Sequence, residues 1–161
     1  MKILLPVSFF LILAATLFAQ RVGNSYYYLA YYSSTLSGAA DAITIQAPTG
    51  MQKDAHFVYA GIYVSAPATV TVCQNGANAT TTALTTARLN GAPPSQALAF
   101  SASNVGASAA RDCGPPNTLP IGISNIDLGK YILTRGANSN LTISIATFTG
   151  TWQPTIQWSE Q

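Results

Sequence analysis

The feature that most constrains this chain is its rhythm. Apolar residues recur at every second position, no run follows a helical period, and Gly, Pro and Asn interrupt about every ten residues. Leu141, Ile143 and Ile145 alternate with Thr142, Ser144 and Ala146. Trp152, Pro154, Ile156 and Trp158 alternate with Gln153, Thr155, Gln157 and Ser159. Ile43 and Ile45 flank Thr44, and Val70 and Val72 flank Thr71. Successive side chains of an extended backbone point to opposite faces, so each segment offers one face to a core and one to water.

Three further stretches are apolar on both faces. Residues 26–32 hold five Tyr. Residues 55–64 place Phe57, Tyr59 and Tyr63 on one side, with Val58, Ile62 and Val64 on the other. Residues 121–133 carry Ile123, Ile126, Leu128, Tyr131 and Leu133, broken at Gly129. Such strands are either central ones covered on both sides or edges that meet a partner. Asn75-Gly76 and Asn90-Gly91 mark tight turns that tolerate a left-handed backbone, and residues 114–117 and 136–140 mark longer loops. Residues 80–89 and 97–103 are weaker strands, and the Ala-rich tract 97–110 leaves a short helix open. The spacing predicts about nine or ten strands in an all-β fold, a single-domain antiparallel β-sandwich of the jelly-roll kind.

The 161 residues provide for one domain. Only 7% are charged while 48% are hydrophobic, so this is no charge-rich disordered tail. The seven Lys and Arg stand singly, which argues against nucleic-acid binding, where phosphate contacts need clustered bases. Lys2 followed by the apolar run 3–15 reads as a signal peptide, cut after Ala19, although Leu17 is larger than the usual residue at that site. The run is too short to span a bilayer, for which about 20 residues are needed; a retained anchor is the competing reading. The expected organisation is a signal peptide at 1–19 and a sandwich domain at 20–161, secreted to an extracellular or periplasmic space, with no membrane span after cleavage. Cys73 and Cys113 are the only cysteines, and an oxidising export route would pair them.

Chemistry is sparse. His56 is the sole imidazole, and Asp54 lies two residues before it, on the same side of a strand. A small hydrolase built on Asp54 and His56 would also need a presented serine, and no G-x-S-x-G occurs. Most of the carboxylates Asp41, Asp54, Asp112, Asp127 and Glu160 stand beside turns or at a strand end, where acids are usually solvated. No calcium, zinc, phosphate or dinucleotide pattern is present, so no catalytic residue, metal or cofactor is expected. Trp152 and Trp158 share a strand face with Ile156 and read as core. Tyr26, Tyr27, Tyr28, Tyr31 and Tyr32 read as an interface, because the ring buries area while its hydroxyl keeps a hydrogen bond. Asn78 and Asn140 begin N-glycosylation triplets near turns and should be accessible. The sequence therefore points to a non-enzymatic structural or adhesive module acting by self-association or contact with a protein partner, through strand addition and Tyr burial. The alternative is a carbohydrate-binding module with Asn117, Asn138 and Asn140 beside a Tyr.

Overall fold

The computed structural model describes residues 25–75, 82–89, 91–103, 112–137, 139–146 and 148–161; the expected signal peptide, Asn78 and Asn138 lie outside them. Every regular element among the described residues is a strand. They are β1 (Tyr26–Tyr31), β2 (Ser34–Ser37), β3 (Ala40–Gln46), β4 (Ala55–Val64), β5 (Ala68–Gln74), β6 (Ala83–Leu84) and β7 (Ala87–Arg88). There follow β8 (Leu98–Ser103), β9 (Asp112–Cys113), β10 (Asn117–Leu119), β11 (Gly122–Asp127), β12 (Ile132–Leu133), β13 (Asn140–Ile145) and β14 (Thr149–Glu160). The tract considered for a helix begins as β8, and residues 104–110 lie outside the described chain.

Two antiparallel sheets pack face to face. Sheet A runs β11-β4-β14-β1-β7, with β12 extending the β11 side of β4 and β2 pairing with β14. Sheet B runs β10-β5-β13-β3-β8-β6, with β9 also on β5. The order β11-β4-β14-β1 over β10-β5-β13-β3 is the jelly-roll arrangement, in which first and last strands pair centrally and the chain crosses repeatedly between sheets. Residues between β5 and β10 form an excursion from that plan. Its strand β7 extends sheet A beyond β1, and β8 and β6 extend sheet B beyond β3.

Two fastenings hold the excursion. Cys73 and Cys113 sit opposite each other on β5 and β9 and are joined by a disulfide across its root. At its crossing from sheet A to sheet B, the buried Glu160 carboxylate accepts hydrogen bonds from Ser95 Oγ (2.6 Å), Gln96 N (3.0 Å) and Ala97 N (3.1 Å). Trp158 Nε1 also donates to it, at 3.4 Å. Burying a carboxylate is costly unless it is paired or hydrogen-bonded, and here backbone donors satisfy it. The expectation of solvated acids therefore fails at Glu160. It fails as well at Asp41, which is buried beside Ser144 Oγ, a donor at 2.6 Å.

Local irregularities follow from single residues. Val58 is an extra residue in β4 opposite the Gln157–Trp158 step of β14. This bulge reverses the alternation, so Phe57 joins Ile62 and Val64 inside while Tyr59 and Tyr63 point outward. Sequence alternation had put Phe57 with the two tyrosines, because period two cannot anticipate an inserted residue. Pro154 sits buried in central β14, normally a poor place for a residue without an N–H. Its carbonyl accepts Tyr32 N at 3.4 Å, so its donorless nitrogen faces the break between β1 and β2. A second bulge, in the β3–β13 ladder, leaves Ala42 without a partner on β13, and Tyr32 Oη donates to its carbonyl. Asn75 adopts φ 57°, the left-handed turn expected of it.

The core joins unlike faces. Sheet A contributes Tyr28, Phe57, Trp152 and Trp158; sheet B contributes Ile43, Ile45, Val70, Val72, Leu141, Ile143 and Ile145. Tyr28 stacks on Trp158 with centroids 5.9 Å apart, and Phe57 tilts against the same indole at 6.4 Å. Both tryptophans lie in the core, as their shared face with Ile156 implied.

Candidate contact surface and cleft

The outward face of sheet A is built by cross-strand register. Ile123, Tyr63 and Gln153 form one row across β11, β4 and β14. Asn125, Gly61, Thr155 and Tyr31 form the next, followed by Asp127, Tyr59, Gln157 and Leu29. Ile132, His56, Ser159 and Tyr27 complete the grid. Tyrosines thus alternate with amides and small hydroxyls, and the grid holds one imidazole, His56, and one carboxylate, Asp127. Exposed large apolar side chains concentrate here and on its margins. Ile123 is 79% exposed and Tyr31 60%, joined by Val58, Tyr59, Ile132, Ile121 and Leu89. Sheet B shows a single such residue among the described ones, Leu98 at 45%. Its outward central row, Thr44, Thr142 and Cys73, is buried, and the two threonine Oγ1 atoms lie 3.0 Å apart.

The five interface tyrosines separate by strand parity. Tyr31 is exposed and Tyr27 half-buried on the outward face. Tyr26 is half-buried, with Lys53 Nζ 4.3 Å from its ring centroid. Tyr32 is half-buried and tied to Ala42. Tyr28 is fully buried, so it is not available to a partner; Tyr59 and Tyr63 supply the outward rings that the cluster at 26–32 did not reveal. Burial pushes the Tyr28 phenol above its ordinary pKa, and the Glu160 carboxylate adds to the rise. Tyr28 Oη has no hydrogen-bond partner among the described residues. Strand addition at β1 meets an obstacle too, since β14 pairs along its length and β7 occupies Tyr28 and Leu29 on the other side. At the far end of the sheet, β11 is paired on one side by β4 and, among the described residues, has no strand on its other side.

The Asp54 carboxylate accepts Arg135 N at 2.8 Å, and among the described residues no hydrogen bond joins it to His56. Ser159 faces His56 across β14 but shares its hydroxyl with Gln161 Nε2 at 3.2 Å. Asp112 is exposed beside the disulfide, and Asp127 Oδ1 accepts Gly129 N at 2.8 Å. No group of His, Cys, Asp and Glu suited to a metal occurs among the described residues. Asn140 is 1% exposed as the first residue of central β13, so the expected accessibility of its glycosylation triplet does not hold.

A second feature lies at the side of the sandwich. Where the chain steps from β10 in sheet B to β11 in sheet A, the two edges diverge around a cleft of about 690 Å³. Asn117 lines it, and Tyr131 supplies its aromatic ring. No protein-family model, curated protein or solved structure matches the chain.

Proposed function

We propose that this protein is an exported, non-enzymatic contact module whose outward face of sheet A packs against a second copy of the chain. One observation carries the reading: the exposed large apolar side chains collect on one sheet and its margins, while the other sheet shows only Leu98 among the described residues. Large apolar side chains gathered on one side of a small domain, and not scattered over all of it, generally mark an interaction site. A nearly uncharged face is also self-complementary, because two copies meet without like-charge repulsion. Tyr and Ile supply buried area, and the intervening Thr, Gln and Asn supply hydrogen bonds at the rim. The disulfide supports residence in an oxidising compartment.

The test is the solution mass of the exported protein by light scattering, with and without the triple change Tyr31→Ser, Tyr59→Ser and Ile123→Ser. The native chain should show a concentration-dependent multiple of the protomer mass, and the variant should remain a monomer. Its unfolding free energy should change by less than about 1 kcal/mol, as surface changes usually do. A native chain monomeric throughout, or a variant that assembles as before, overturns the reading.

A further inference from the structure

The margins of the two sheets are finished unequally. Among the described residues, the outermost strands β6, β7, β9 and β12 have two residues each, β10 has three and β2 has four. β11 has six, and its register with β4 runs from Gly122 opposite Val64 to Asp127 opposite Tyr59 without a shift. Very short edge strands resist the addition of a further strand, whereas a long, regular edge is a template for one.

Parity decides where the backbone groups of β11 point. In an antiparallel ladder, pairs that exchange both hydrogen bonds alternate with pairs that exchange none. Ser65 N donates to Thr151 O at 3.1 Å, so Tyr59, Gly61 and Tyr63 of β4 bond to β14. Leu128 N donates to Val58 O at 3.2 Å, so Ala60, Ile62 and Val64 bond to β11. The N–H and C=O groups of Ile123, Asn125 and Asp127 therefore point away from β4, and no strand among the described residues meets them. Where β12 continues the same margin, Gln74 Nε2 already donates to Ile132 O at 3.3 Å.

We propose that β11 pairs antiparallel with β11 of a second copy, about a two-fold axis at Asn125, so that two sheets A become one. Strand addition, obstructed at β1, is open here. The axis sets Ile123 opposite Asp127 of the second copy and Asn125 opposite its own counterpart, so every outward N–H meets an outward C=O. Outward residues face outward residues, which keeps the alternation of both sheets. The Asn125 amide both donates and accepts, so it can bond to its counterpart. The two Asp127 carboxylates fall at opposite ends of the ladder, where they do not repel. On the core side, Ser124 and Ile126 lie opposite each other above the cleft that β10 and β11 leave open. The edge thus matches itself in bonds and in charge, and needs no other partner. Edge pairing rests on the face contact proposed above. One six-residue edge offers few bonds, but a face-paired dimer presents two such edges, and the two kinds of contact together carry assembly past the dimer.

Amide hydrogen exchange of the protein should be compared between dilute and concentrated solution. The amides of Ile123, Asn125 and Asp127 should slow about tenfold or more on concentration, while Ser124 and Ile126, already bonded to β4, should change less than about twofold. Packing of the sheet face alone selects no such alternate set. Asn125→Pro removes an outward N–H and no bond to β4. It should abolish the slowing at Ile123 and Asp127 and hold the solution mass at the dimer. Asn125→Lys keeps the backbone and sets two ammonium groups against each other; it should act likewise at low salt and recover in part at high salt. Absence of the alternating pattern at every concentration, or native slowing in both variants, overturns the proposal. A native mass that stops at the dimer without the pattern overturns the edge pairing and leaves the face contact standing. A pattern that survives the triple change at Tyr31, Tyr59 and Ile123 supports the edge and overturns the face contact.

Discussion

Sheet A and sheet B answer the same task with different residues. Sheet A is anchored inside by rings (Tyr28, Phe57, Trp152 and Trp158) and leaves tyrosines and isoleucines outside. Sheet B fills its side of the core with Ile, Val and Leu, and buries a threonine pair and Cys73 on its outward row. A few large rings supply much of the side-chain area that sheet A buries in the core. Sheet B carries the disulfide and most of the excursion, and it exposes little apolar surface. The contrast is one of packing: the sheet anchored by rings is also the one that carries most of the exposed large apolar side chains among the described residues.

Removing the anchor should break the comparison most severely. Trp158→Ala deletes an indole that touches Tyr28, Phe57 and Glu160 at once, and should cost up to about 5 kcal/mol in urea unfolding. Ile143→Val in sheet B should cost only about 1 kcal/mol, because one methylene is lost where aliphatic neighbours can close in. Equal losses would deny that sheet A depends on few residues.

Next in size is the disulfide. Cys73 and Cys113 are 40 residues apart, and closing such a loop stabilises by about 4 kcal/mol in the chain-entropy model. Mutating both to Ala should lower the unfolding free energy by at most about 4 kcal/mol. Amide exchange should quicken first in β6, β7 and β8, which the bridge and Glu160 fasten. Uniform loss of protection would show that the excursion is not a separate unit.

A smaller effect sharpens the picture at the start of β14. Gly150, at φ 157°, leads β14 past Ser65, and an added Cβ would lie 2.6 Å from Ser65 Oγ. That hydroxyl accepts Thr151 N at 2.8 Å. Gly150→Ala should cost about 2 kcal/mol, read from the same urea titration. A neutral outcome would mean that the Ser65 hydroxyl moves aside without loss.

The smallest effect is electrostatic. Tyr28 keeps its proton more tightly when folded, from burial first and Glu160 second. The unfolded chain releases that proton near the ordinary tyrosine pKa while the folded chain still holds it. Stability from Tyr28 is therefore whole below that point and falls as pH rises through the folded pKa. Tyr28→Phe should flatten the decline in unfolding free energy above about pH 10. An unchanged slope would place the alkaline sensitivity elsewhere.

Much of this was readable from residues alone, and for a clear reason. Ile43, Ile45, Val70, Val72, Leu141, Ile143 and Ile145 repeat at period two, and the structure places all seven in the core. The disulfide pair was legible because the chain has two cysteines. Phe57 was misplaced because the Val58 bulge shifts parity, and an inserted residue leaves no mark in alternation. Glu160 was misjudged because its donors, Gln96 and Ala97, lie more than sixty residues away in sequence. The outward rings were only half visible: Tyr27 and Tyr31 belong to a conspicuous cluster, whereas Tyr59 and Tyr63 become their neighbours only through β14. Tyr131 joins Asn117 across two sheets, a proximity no local pattern encodes.

The proposed contact role of sheet A is tested most directly by amide and side-chain resonances of the protein followed across a dilution series. Shifts that change with concentration should gather on Tyr31, Tyr59, Tyr63, Ile123 and Ile132 and leave Leu98 and the strands of sheet B unmoved. Changes centred on sheet B, or none at any concentration, would contradict the assignment of sheet A as the surface that makes contact.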